Sequence, residues 1–303
     1  MGFEKRFLRT CYGIDTCYEF LLATAGKVAR SFSKGTDLYS QAHARRIAEK
    51  FTKSKFIQIR DVKLPLLSEE RKSLFFSYTF EDVFLSYAYL NDSYDEKTFD
   101  KYDPLLPEGF YGLVNDEVNV TVEPGDIVID AGSWIGDFAA YASVKGATTY
   151  AFEPSDENFA YLIKTAELNK NIIPVKKGLA DEVTERSMFY NSAGHSSASS
   201  FLDKSEDLEY TEGASSVEIT TVDDFVRENK LSRVDFIKSD IEGFERNMLA
   251  GAQETLKKFA PKLALCTYHL PDDPEVMARL IKQANPAYNI VQKRMKLFAS
   301  VPK

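Results

Sequence analysis

Three groups of residues in this chain have the types and the spacing to do chemistry. The first is Asp130, Gly132 and Gly136 in "VIDAGSWIGDF". The second is Glu153 in "YAFEP", about 20 residues beyond Gly132. The third is the run of acids in "KSDIEGFE", Asp240, Glu242 and Glu245, together with His269 after "LALCTY". A D-x-G-x-x-x-G turn between a strand and a helix can cradle a ligand. Gly132 lets the backbone turn with no Cβ in the way, and Gly136 lets the helix and a ligand approach closely. Amides freed at the helix start offer donors. The three-glycine phosphate fingerprint G-x-G-x-x-G is absent, and Asp130 would repel a phosphate while favouring a cationic ligand. S-adenosylmethionine carries a sulfonium and an ammonium and no phosphate, so it fits that charge. A strand-terminal carboxylate at Glu153 can accept both ribose hydroxyls. Ser133 and Trp134 complete the loop, and Trp134 either packs beside the cofactor or fills the core.

Methyl transfer from a sulfonium needs alignment of an activated donor with a nucleophile, and exclusion of water. An alcohol nucleophile also benefits from a general base or a metal. Asp240, Glu242 and His269 are the candidate catalytic residues, and Asp240 also belongs to the expected cofactor wall. A histidine with an ordinary pKa near 6.5 can take a hydroxyl proton. Glu245 lies one turn on, where the alternative role is to complement a helix dipole. Lys238 shares a strand face with Asp240, and either pairs with that acid or acts on substrate. Asp240, Glu242 and His269 also hold oxygen and nitrogen donors suited to a divalent metal. The metal-free reading is preferred, so no metal is expected.

The elements that must position these groups follow from hydrophobic periodicity. The pattern changes near residue 115. Residues 1–115 read as a mainly helical extension that serves as a lid or a dimer contact. Within it, Leu74, Tyr78, Phe84 and Tyr87 recur at near-helical spacing over 68–90. His43 sits in the basic stretch "QAHARRIAEK" and reads as a surface residue. Residues 116–303 alternate short apolar runs with helical segments. "DIVIDAG", "TTYAFEP", "IIPVKKGLA", "VDFIKSD" and "KLALCTYH" read as successive strands, with "EVNVTV" ahead of them and "RSMFYNS" as an excursion. "AYNIVQKR" and "MKLFASV" read as a closing antiparallel hairpin. Short strands alternating with helices predict right-handed βαβ units and an α/β, doubly wound, mainly parallel sheet. Ligands of such sheets bind beyond the strand carboxyl ends, where the strand order reverses.

The segments "GDIVIDAGSWIGDF", "YAFEPSDENFAYLIKTAELN" and "VDFIKSDIEGFERNMLAGA" together resemble the FkbM-family methyltransferases of the class I S-adenosylmethionine-dependent group. The likeness covers roughly residues 108–303 and is most specific at "DFIKSDIEGFE". It implies a Rossmann-like seven-stranded sheet with one antiparallel edge strand. It also implies S-adenosylmethionine as cofactor and O-methylation of a sugar or a polyketide-like natural product. By position, Asp130, Gly132 and Gly136 would line the methionine part of the cofactor, and Glu153 the ribose. Asp181 would approach the adenine amine, or is a turn residue. The resemblance makes the Ser-rich stretch around His195 and Ser197 a cover for cofactor or substrate. Where many members carry Ala-Asn, this chain has Ser133-Trp134.

Bulk properties bound the alternatives. At 303 residues with 44% hydrophobic content, the chain can build a large packed core. A net charge of -8 argues against nucleic-acid binding through a broad basic surface. Three cysteines, Cys11, Cys17 and Cys266, without a Cys-x-x-Cys pair, fit a reducing cytoplasmic setting. The longest N-terminal apolar run is too short to span a bilayer, so no membrane association is expected. A homodimer is the expected assembly if the extension is a contact surface. The competing functions are a nucleic-acid or protein methyltransferase, a dinucleotide-dependent oxidoreductase and a non-catalytic binding module.

Overall fold

The computed structural model describes residues 56–59, 62–65, 111–191, 210–293 and 295–302. The helical pattern over 68–90, His43, His195 and Ser197 lie outside the described residues.

The central sheet has seven strands. They are β5 (Ile127–Ala131), β6 (Thr148–Phe152), β7 (Ile172–Val175), β11 (Phe236–Ser239), β12 (Lys262–Cys266), β13 (Asn289–Lys293) and β14 (Lys296–Ser300), in the order β13-β14-β12-β11-β5-β6-β7. The middle strands "IVIDA", "FIKS" and "KLALC" are buried almost throughout, as parallel strands covered on both faces must be. From β5 the chain steps outward through β6 to β7, then returns to lay β11 on the other side of β5. The strand order therefore reverses between β5 and β11, at the ends that carry Asp130 and Asp240.

The antiparallel strand is not at the edge, as the resemblance implied. β14 lies between β12 and β13 and runs antiparallel to both. All five residues of β14 are buried, whereas β13 is half-exposed along its length, so only β13 suits an edge.

Helices cover both faces: α1 (Asp137–Val144), α2 (Asp156–Leu168), α3 (Val222–Glu228), α4 (Glu245–Ala250), α5 (Gln253–Phe259) and α6 (Asp273–Ala284). The α1 residues Phe138, Ala139, Ala140, Tyr141 and Ala142 are all buried. A small hairpin, β1 (Phe56–Ile59) and β2 (Val62–Pro65), packs Val62 and Leu64 against Ala139, Ala140 and Leu162. The Asn169 amide ties that hairpin to α2 by donating to the Lys63 carbonyl at 2.7 Å. Part of the segment before residue 115 is thus built into the same core. A two-residue pair, β3 (Leu113–Val114) with β4 (Asn119–Val120), is all that "EVNVTV" forms, with Val118, Val120 and Val122 buried beside it.

Two expected elements split. "IIPVKKGLA" gives β7 on the main sheet and β8 (Gly178–Leu179). β8 joins β9 (Thr184–Asn191) and β10 (Tyr210–Thr220) in a second sheet. "ERNMLAGAQETLKKF" breaks into α4 and α5 at Gly251. A Cβ on Gly251 would stand 2.1 Å from the Ala180 carbonyl, so the backbone passes where no side chain fits.

Candidate active site

The loop after β5 is fixed by its own backbone. Gly132 has φ +75°, and a Cβ there would stand 1.9 Å from the Asp240 carbonyl oxygen. The Gly132 and Ser133 amides both donate to the Phe152 carbonyl, at 3.1 and 2.8 Å. The buried Ser133 hydroxyl donates to the Asp130 carbonyl at 2.9 Å. Gly136 has φ +86°, and its missing Cβ makes room for Leu162, 2.7 Å away, and for Thr165. Its missing Cβ lets α1 and α2 pack closely. Gly136→Ala is expected to lose about 1–2 kcal/mol through backbone strain and overpacking. Urea denaturation checks this, and an unchanged midpoint would contradict the packing argument.

Asp130 is fully buried and lies 3.1 Å from the Lys238 ammonium. Neither of its carboxylate oxygens has a hydrogen-bond partner among the described residues. Lys238, also buried, donates to the Gly132 carbonyl at 2.7 Å. Burial works against the lysine charge, but Asp130, Asp240 and Asp137 hold its pKa above the ordinary range. The pair therefore staples β11 to the β5 loop from beneath.

Glu153 closes β6. Its Oε2 accepts the Trp134 amide at 2.9 Å, and its Oε1 accepts the Ser155 amide at 3.0 Å. Burial pushes its carboxyl up to about 7, despite these donors and Asn158.

Beyond β11 the acids are brought together as expected. Asp240 accepts the Tyr111 hydroxyl at Oδ2 (2.8 Å) and the Tyr268 hydroxyl at Oδ1 (3.0 Å). Burial opposes its charge, but Lys238, His269 and Lys296 hold its carboxyl below the ordinary range. Fully buried Glu245 accepts the amides of Ile241 (2.7 Å) and Gly243 (3.1 Å). It folds the 241–243 loop around itself, so it is an anchor as well as a helix-start charge. Glu242 then takes φ +54°, a left-handed conformation, as does Trp134 at +49° on the facing loop. His269 sits among three carboxylates. Nδ1 is 3.2 Å from Glu245, and Nε2 is 3.4 Å from Glu242 and 3.7 Å from Asp240. Burial works against its charge, yet Glu242 and Glu245 push it up to about 11. With no cation between them, those carboxylates favour the protonated ring, which weighs against His269 as the base.

These walls line a cleft, open to solvent, at the β5/β11 switch point. Gly132, Trp134, Glu153, Asp240 and Glu242 line it, with Asn158, Lys177 and Met188. Asp130, Ser133, Gly136 and His269 stand behind that lining. Asp181 is exposed, accepts the Asn247 amide at 3.1 Å and is not in the lining. Tyr111, Tyr268 and Lys296 were not singled out by the sequence. Tyr268 precedes His269 and could have been found there. Tyr111 is separated from Asp240 by 129 positions, and no local pattern marks it. Two lysines, Lys238 and Lys296, lie 5.0 and 4.7 Å from its ring centroid.

Among the described residues, no helix is long and apolar enough to cross a membrane. The chain is 25% identical over 171 residues to the hexuronic acid methyltransferase AglP of Haloferax volcanii, covering 56% of this chain and 67% of that protein. Among solved structures it resembles an FkbM methyltransferase from Methylobacillus flagellatus KT, with 17% identity and a TM-score of 0.45 over 88% of this chain. This chain spans only 60% of that one. It also resembles Aeropyrum pernix fibrillarin, solved with natively bound S-adenosyl-L-methionine, with 14% identity and a TM-score of 0.36 over 61% of this chain and 70% of that one. The model of the methyltransferase FkbM domain matches residues 130–287, more than half of the chain, from the Asp130 loop to beyond His269. This chain belongs to the FkbM methyltransferase family and is a methyltransferase.

Proposed function

We propose that this methyltransferase takes its methyl group from S-adenosylmethionine and transfers it to a hydroxyl oxygen of a small sugar-like acceptor. The observation that carries the reading is one cavity with Glu153 on one wall and Asp240 with Glu242 on another. The residues present suit the cofactor. Gly132 lets the β5 loop close against the Asp240 carbonyl, which brings the two walls together, and the acidic lining complements a cation and opposes a diphosphate. Glu153 would accept the ribose hydroxyls, and Trp134 and Asn158 lie beside it on the cavity wall. S-adenosylmethionine supplies a methyl whose bond to sulfur breaks with the electron pair staying on sulfur, as the acceptor oxygen forms its new bond and loses its proton.

The chain's own residues then have distinct tasks. Lys238 and Asp130 hold the cradle loop against β11. Tyr111 and Tyr268 occupy both oxygens of Asp240, which leaves it to orient the acceptor. Glu242, on the cavity wall, takes the hydroxyl proton. The likeness to a hexuronic acid methyltransferase supports a sugar acceptor.

Calorimetry with S-adenosylhomocysteine and with NAD tests the cofactor, and methyl-labelled S-adenosylmethionine offered with neutral and uronic sugars tests the acceptor. One equivalent of S-adenosylhomocysteine should bind, and the label should appear on oxygen. Binding of NAD alone, or label on nitrogen only, would overturn the reading.

A further inference from the structure

We infer that Asp240, Glu242 and His269 form a site for a divalent metal ion on the acceptor side of the cavity. One donor atom from each of the three lies within 4.8 Å of the others, so a single ion can reach them all. The spacing around His269 Nε2 is the sharper observation. The nitrogen stands 3.4 Å from Glu242 Oε2 and 3.7 Å from Asp240 Oδ1. Both are longer than a good hydrogen bond. Neither ring nitrogen has a hydrogen-bond partner among the described residues, although the His269 side chain is only 7% exposed. Two ligand atoms, each about 2.1 Å from one ion, are about 3.4–3.7 Å apart at angles of roughly 110–120°. The gap around Nε2 has that size.

The surroundings match as well. A ligating imidazole commonly turns its other nitrogen to a carboxylate, which fixes the ring. Here Nδ1 faces the buried Glu245 carboxylate at 3.2 Å, and two backbone amides hold that carboxylate in place. Asp240 is oriented in turn by Tyr111 and Tyr268. Three carboxylates around one imidazole leave surplus negative charge, which a doubly charged ion offsets better than a proton does. Asp240 and Glu242 are on the cavity wall, so open coordination positions would face the acceptor. Two carboxylates with one imidazole suit Mn²⁺ or Zn²⁺ better than an all-oxygen calcium cage.

The inference rests on the proposed transfer and narrows its substrate. An ion there takes an acceptor with two adjacent oxygens, such as a vicinal diol or a hydroxy-carboxylate. It makes the bound hydroxyl more acidic. With the ion bound, the hydroxyl proton would pass to the Glu242 oxygen not bound to it, the acceptor oxygen would gain the methyl, and the sulfur would keep the electron pair of the broken bond.

The test is titration of the EDTA-treated protein with MnCl₂, with free Mn²⁺ read by electron paramagnetic resonance. One equivalent should bind. His269→Gln and Glu242→Gly should each weaken binding by at least about tenfold, while the exposed control Glu182→Gln should not. Glycine at 242 relieves a left-handed residue, so that variant keeps its fold, and a melting curve on each variant verifies this. No Mn²⁺ bound up to about 1 mM, or parental binding by Glu242→Gly, overturns the site. S-adenosylhomocysteine calorimetry in EDTA separates the two proposals. Cofactor binding without any Mn²⁺ site sinks the metal alone, and loss of cofactor binding sinks the transfer reading.

Discussion

Asp130→Ala is expected to lower the unfolding free energy by about 3–5 kcal/mol, the cost of leaving one member of a buried ion pair uncompensated. The Lys238 ammonium would remain under the β5 loop with carbonyl oxygens as its nearest partners, Gly132 at 2.7 Å and Ala131 at 3.5 Å. For a chain of this size that corresponds to a melting temperature lower by roughly 10 °C. The double variant Asp130→Asn with Lys238→Met removes both charges at similar volume. It should recover most of the loss, because no isolated charge is left behind. Urea denaturation of the two variants decides the matter. If the single variant is as stable as the parent, Lys238 has found its counter-charge in Asp137 or Asp240, and the staple is not specific to Asp130.

Glu153→Gln should separate binding from stability. The carboxylate would accept two ribose hydroxyls, and hydrogen bonds to a charged group contribute about 1.5–3 kcal/mol. Losing the charge should weaken S-adenosylhomocysteine binding by roughly 10- to 100-fold. Stability should hold or rise, because in the folded state the ionised form is penalised by burial. The sign follows from linkage. The folded carboxyl has its pKa raised to about 7, above its ordinary value. The folded state therefore binds more protons than the unfolded chain between those values, and stability falls as pH rises through that window. Cofactor binding runs the opposite way, since it needs the ionised form. Parent affinity should decline below about pH 7, with proton release on binding, and the Gln variant should show neither. Calorimetry at pH 6 and 8, in buffers of different ionisation enthalpy, measures both. A Gln variant that binds like the parent removes Glu153 from the cofactor site.

The sequence made the sheet legible because buried parallel strands such as "DIVIDAG" and "VDFIKSD" are short, β-branched and separated by helical patterns. It also made the Asp130 loop, Glu153 and the Asp240–Glu242–His269 group legible, since each follows a strand at the carboxyl edge of the sheet. Other features depend on contacts between distant segments. Gly251 splits one apparent helix only because the Ala180 carbonyl lies against it. Gly136 reads as a ligand glycine until α2 is placed on it. His269 reads as a base until Glu245 and Glu242 surround it. Tyr111 joins Asp240 from 129 positions away in the sequence, and the β1–β2 hairpin enters the core from a stretch of sequence dominated by a helical pattern.

Trp134 and Glu242 carry a consequence of their own. Each is a bulky or charged residue where the backbone prefers glycine, at a cost of about 1–2 kcal/mol apiece, and the two flank the same cleft. A chain shaped solely to resist heat would give up both side chains. Asn171, Lys230 and Ala260 take the same conformation elsewhere, but only at Trp134 and Glu242 would a glycine also remove a side chain from the wall of the cleft.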